Sequence, residues 1–133
     1  MSAAIVHLPR TRIADLERTS EGALHLILSP AMVVKSEGIP LTDASTLWTQ
    51  KGELTLYGVE TDSLLTVPLE IAGGSIEADG VRYMDMLPLP FRPAGGVELR
   101  LTFAGAAEFV CSAERATLEM EGNAKYVRHL EQD

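Results

Sequence analysis

Apolar and polar residues alternate along much of the chain, most cleanly in Val97-Glu98-Leu99-Arg100-Leu101-Thr102-Phe103, where every odd position is apolar. Successive side chains of a strand point to opposite faces, so this run predicts a half-buried strand. Residues 115–121 repeat the pattern with Ala116, Leu118 and Met120 inward, and residues 53–57 repeat it with Leu54 and Leu56. Leu65, Val67, Leu69 and Ile71 form a fourth set, in which Pro68 lacks the amide of a central strand and predicts an edge or a bulge. Two further strands are expected at 23–29 and 32–37.

Turn residues separate these runs. Asp79-Gly80, between 75–78 and 81–84, supplies the positive φ angles of a two-residue type I′ hairpin. Glycines at 95–96 and 105 bracket the Val97 run and predict a three-strand meander over 97–103, 107–113 and 116–121. Helix signals are sparse: Ile13 and Leu16 share a face if 12–18 forms two turns, and 41–48 has room for one turn capped by Thr42 or Asp43. Pro88, Pro90 and Pro93 make 87–93 an extended connection crossing between sheets. The fold expected is all-β: a single-domain antiparallel β-sandwich or distorted barrel of about eight strands with little helix. Its N-terminal arm is 1–20 and its tail 125–133, frayed over the last three residues. The inward set is Leu26, Leu28, Leu54, Leu56, Val67, Leu69, Ile76, Leu99, Leu101, Phe103, Phe109, Leu118 and Met120.

Length and charge narrow the picture. At 133 residues and 46% apolar, the chain builds one core and not two. Its 19 acidic residues against 11 basic give a net charge of −8, which argues against nucleic acid and anionic membranes as partners. No apolar run approaches the ~20 residues of a spanning helix. The opening apolar residues have no basic segment ahead of them, and the single Cys111 has no intrachain partner, so a reducing, cytoplasmic setting is expected.

Candidate chemistry is thin. His7, His25 and His129 lack metal-ligand spacing, and there is no Gly-x-Ser-x-Gly elbow or phosphate-cradling loop. His25 faces away from Leu24, Leu26 and Leu28, as a strand-surface histidine does, whereas Cys111 alternates with Phe109 and Ala113 on the inward face, where a thiol is a small hydrophobe. No catalytic residue, metal or cofactor is assigned. Candidate binding residues are the aromatics Trp48 (at a loop-to-strand junction), Tyr57 and Tyr83, together with Glu70 and Glu77. The two glutamates belong to a stretch with six acids (Glu53, Glu60, Asp62, Glu70, Glu77 and Asp79) and no Lys or Arg. Strands lying side by side there would present an acidic face to a basic protein partner. The leading expectation is therefore a non-enzymatic interaction or accessory domain, with a small apolar ligand carrier and an enzyme of unrecognised type as alternatives. Open sheet edges add the expectation of a homodimer.

Overall fold

The computed structural model describes residues 3–37, 44–61, 65–105 and 108–130. Among them the fold is all-β, built from antiparallel strands in two sheets that enclose one core. The strands are β1 (Ala3–His7), β2 (Arg12–Arg18), β3 (Leu24–Ser36), β4 (Ser45–Tyr57), β5 (Leu69–Glu70), β6 (Gly73–Ala78), β7 (Val81–Met84), β8 (Met86–Leu89), β9 (Val97–Thr102), β10 (Phe109–Ala113) and β11 (Arg115–Leu130). The larger sheet runs β11-β4-β3-β1-β8, with β2 and β5 branching from β3; the smaller runs β10-β9-β6-β7.

Alternation decides what is buried. Leu24, Leu26, Leu28, Leu54, Leu56, Ala116 and Leu118 from the larger sheet meet Ile76, Ala78, Val97, Leu99, Leu101, Phe109 and Cys111 from the smaller. Removing this much apolar surface from water is the main stabilising term, at about 25 cal/mol per Å². Of the expected inward set, Val67, Leu69 and Met120 are only half-buried and pack around the margin of the core.

The Asp79-Gly80 hairpin forms as expected: Ala78 pairs with Val81, and φ is 52° at Asp79 and 77° at Gly80. The Asp79 carboxylate also accepts the backbone N–H groups of Ala94 and Gly95, tying the hairpin to the next loop.

Several expectations are corrected. Residues 12–18 form β2, not a helix. Ile13 lies opposite Leu28 and Leu16 opposite Leu26, because a bulge between Ile13 and Asp15 inserts one extra residue. The bulge puts positions three apart on one face, which imitates helical spacing. The same device joins 23–29 and 32–37 into the single strand β3, in which Leu28 and Ala31 both face the core across a bulge. Residues 45–48 belong to β4, and 41–43 lie outside the described residues. The Leu65 run is strand only at β5. The meander stops after two strands, since β10 pairs with β9 but β11 crosses to the larger sheet and pairs with β4. The proline segment crosses between sheets only in its second half: the chain enters the larger sheet at Asp85 (φ 59°), Pro88 sits in β8, an edge strand paired only with β1, and 90–96, with Pro90 and Pro93, return the chain to β9 of the smaller sheet. The arm and tail are not appendages: β1 and β2 are integral to the larger sheet, and β11 pairs with β4 as far as Leu130. The expected fraying of 131–133 lies outside the described residues.

The larger sheet forks where β3 bulges. The first half of β3 takes β2 on one side and the second half takes β1, while β4 runs along the other side throughout. Thr11 is fully buried at the fork, where its hydroxyl donates to the His7 carbonyl (2.7 Å) and accepts the Met32 N–H (3.0 Å).

Candidate functional site

At the β1 end of the fork, the larger sheet comprises β1, β8, residues 31–36 of β3, 45–50 of β4 and 122–130 of β11. These residues include Lys35, Lys125 and Arg128 and no carboxylate; Glu37 and Asp85 stand just outside at strand ends, and Glu121 just outside within β11, opposite Lys51. In a chain of net charge −8, this half-sheet is cationic.

Its aromatic residues form a row across three strands. Register places Trp48 between Val33 on β3 and Tyr126 on β11, and His129 opposite Thr46. The Lys35 Nζ lies 4.1 Å above the Trp48 ring, Trp48 meets Tyr126 edge to face at 5.4 Å, and Tyr126 meets His129 at 5.8 Å. Trp48 is half-buried and its Nε1 donates to the Thr46 Oγ1 at 2.8 Å, which fixes the indole. Tyr126 is 51% exposed. Lys125 and Arg128 pair with Thr49 and Leu47, so they project to the opposite face and supply charge, not contact, to the row.

Trp48 therefore lies within β4 and not at a loop-to-strand junction. The other sequence candidates do not join it. Tyr57, nine residues on in the same strand, points to the other face, with the Arg115 guanidinium 4.2 Å above its ring. Tyr83 pairs with Ile76, packs against the core and borders a small groove with Pro88, Pro90 and Phe91. Glu70 is in β5 opposite Arg12. Glu77 lies on the outer face of the smaller sheet, directly between Arg82 and Glu98.

The five of the six acids that lie among the described residues make no common face. Glu53 points outward from the larger sheet and Glu77 outward from the smaller, on opposite sides of the core; Glu60 runs beside β10, and Asp79 caps backbone amides. Asp62 lies outside the described residues. Glu77 does line the outer groove of the smaller sheet, of about 860 Å³, with Glu60, Ser75, Arg82, Glu98, Arg100 and Ser112. Charges of both signs alternate there, and Arg100 is already paired with Glu108 at 2.9 Å. The groove is open, and its three carboxylates stand among two guanidinium groups, so its negative excess is small and interleaved with cations, a weak basis for selecting a partner.

A histidine–carboxylate pair emerges that spacing did not disclose. His25 Nδ1 is 2.7 Å from Glu53 Oε1 and 3.0 Å from Thr55 Oγ1, on the outer face of the larger sheet. Period two would have placed all three on one face, but the pairing of β3 with β4 could not be read from the chain. Both partners address the same ring nitrogen, whereas a nucleophile and an orienting acid must occupy opposite nitrogens of a catalytic imidazole. Cys111 is buried, and burial pushes its thiol up to about 11, away from the thiolate needed for nucleophilic work. Among the described residues, no three His, Cys, Asp or Glu side chains are placed to hold a metal ion, and no helix is long and apolar enough to cross a membrane.

Comparison with protein-family models, with curated proteins and with solved structures finds no match for this chain.

Proposed function

We propose that the protein is a non-enzymatic interaction domain that binds an extended acidic segment of a partner protein along the row Lys35, Trp48, Tyr126 and His129. The observation that carries this reading is the coincidence of that row with the half-sheet that has cations and no carboxylates. Aromatic rings bury partner surface at low entropic cost, and Lys35, over the Trp48 ring, attracts a carboxylate, with Lys125 and Arg128 adding positive charge from the opposite face. The net charge of −8 repels long polyanions, which favours a short acidic peptide over nucleic acid. A basic partner loses its support because the acids are dispersed over both sheets. A carrier of small apolar ligands is less favoured, since the grooves described are open and rich in polar and charged residues. The single buried thiol suits the reducing conditions of the cytoplasm.

Trp48 is the chain's one tryptophan, so its emission reports on the row directly. Titration with an Asp/Glu-rich peptide carrying one aromatic residue should give a saturable change that weakens as salt rises. Lys35→Glu or Tyr126→Ala should weaken it about tenfold, an effect of ~1.4 kcal/mol. Equal binding of a Lys-rich peptide, or binding indifferent to both substitutions, would overturn the reading.

A further inference from the structure

Beyond that surface, β11 offers a second one. It pairs with β4 on one side, and among the described residues no strand pairs with its other side. Its two parts differ. Between Glu121 and Lys125, and again between Tyr126 and Arg128, the register shifts, and such bulges twist an edge away from strand addition. Residues 115–121 pair with β4 without interruption and contain no proline. The other edges are short or obstructed: β8 contains Pro88, β5 has two residues, β7 has only four, and Glu60 bridges to Ser112 beside β10.

We infer that residues 115–121 pair antiparallel with the same residues of a second copy, about a two-fold axis at Leu118. Sequence and register carry this. Pairing about Leu118 sets Arg115 opposite Glu121 of the second copy, and Glu121 opposite its Arg115. On the inner face, Leu118 meets Leu118 and Ala116 meets Met120, which continues the apolar stripe of Leu54 and Leu56 from one copy into the next. Met120 is only half-buried in the single chain. A slip of one residue would oppose inward and outward side chains. An axis at Glu119 would set two glutamates face to face, and an axis at Thr117 would shorten the overlap to residues 115–119. The interface is isologous and closed, so it stops at a dimer.

Sedimentation across concentrations, with and without charge reversals, tests this. The wild-type chain should dimerise. Arg115→Glu or Glu121→Arg alone sets like charges opposite at two places and should weaken the dimer about tenfold or more. The double variant should regain wild-type association, and the two single variants mixed should pair with each other. Within its own chain Arg115 also lies over Tyr57 and Glu121 also meets Lys51 at 3.5 Å, but such exposed contacts contribute little, so thermal midpoints of the dilute monomer should stay near wild type and separate lost pairing from lost folding. A wild-type chain that stays monomeric at several hundred micromolar overturns the proposal. So does a dimer indifferent to the single reversals, or one that the double variant fails to restore. None of these results bears on peptide binding at Trp48, which is read separately.

Discussion

Among the described residues, burial governs the two groups whose protonation is displaced from the ordinary. Cys111 is inert for that reason, and His7, at the end of β1, is held below its usual value of 6.5 by burial, an effect that the nearby Asp85 carboxylate partly offsets. A depressed histidine value means that the unfolded chain binds the proton more readily, so stability is intact above pH 6.5 and is lost as pH falls through the lowered folded value. The thermal midpoint should therefore drop as pH falls below about 6.5 towards the range where carboxylates titrate, and His7→Gln should flatten that part of the profile. A wild-type midpoint constant over that fall in pH would contradict it. Gly80 is a different kind of constraint. No atom lies within 4 Å of where its Cβ would stand, yet its φ is 77°. Gly80→Val should cost about 1–2 kcal/mol from backbone strain alone, read as a lowered denaturation midpoint, whereas a steric account predicts no loss in that open space.

At the scale of elements, the bulge explains both what could be read from the chain and what could not. Where strands are regular, as in β6, β7, β9 and β10, alternation and turn residues identify them to within two residues at either end. Where a bulge inserts a residue, parity reverses, and the same apolar positions look like a helix in β2 or like two strands in β3. Pairing between distant strands leaves no local trace, so the move of β11 to the larger sheet was illegible, and with it the meeting of Trp48 with Tyr126. The fork is a further case, because Thr11 gives no sign in sequence of being a buried linchpin. Thr11→Val keeps the shape but deprives the Met32 N–H of its acceptor and the His7 carbonyl of its donor. The expected loss is about 1–3 kcal/mol in chemical denaturation. A change below a few tenths would mean that the hydroxyl does not hold the two branches together.

Over the whole molecule, the dispersal of the acids matters more than their number. Six carboxylates without an intervening cation suggested a negative face, but alternation and two sheets distribute the five among the described residues to opposite sides of the core, to a hairpin and to a sheet edge. The coherent field is the opposite one, a cationic half-sheet in an acidic protein. Composition could not show this, since its cations come from β3 and β11, which are separated by some ninety positions in the chain and joined only through β4. Of the residues singled out from sequence, Trp48 belongs to this surface and Tyr57, Tyr83, Glu70 and Glu77 do not. The most direct measurement of the account is a residue-by-residue amide and indole shift map by nuclear magnetic resonance during titration with the acidic aromatic peptide. The account predicts that shifts concentrate at Lys35, Trp48, Tyr126 and His129 and fade with salt, while the outer groove at Glu77, Glu98 and Arg100 stays still. Shifts centred on that groove, or none at the Trp48 indole when the peptide is in large excess, would contradict it.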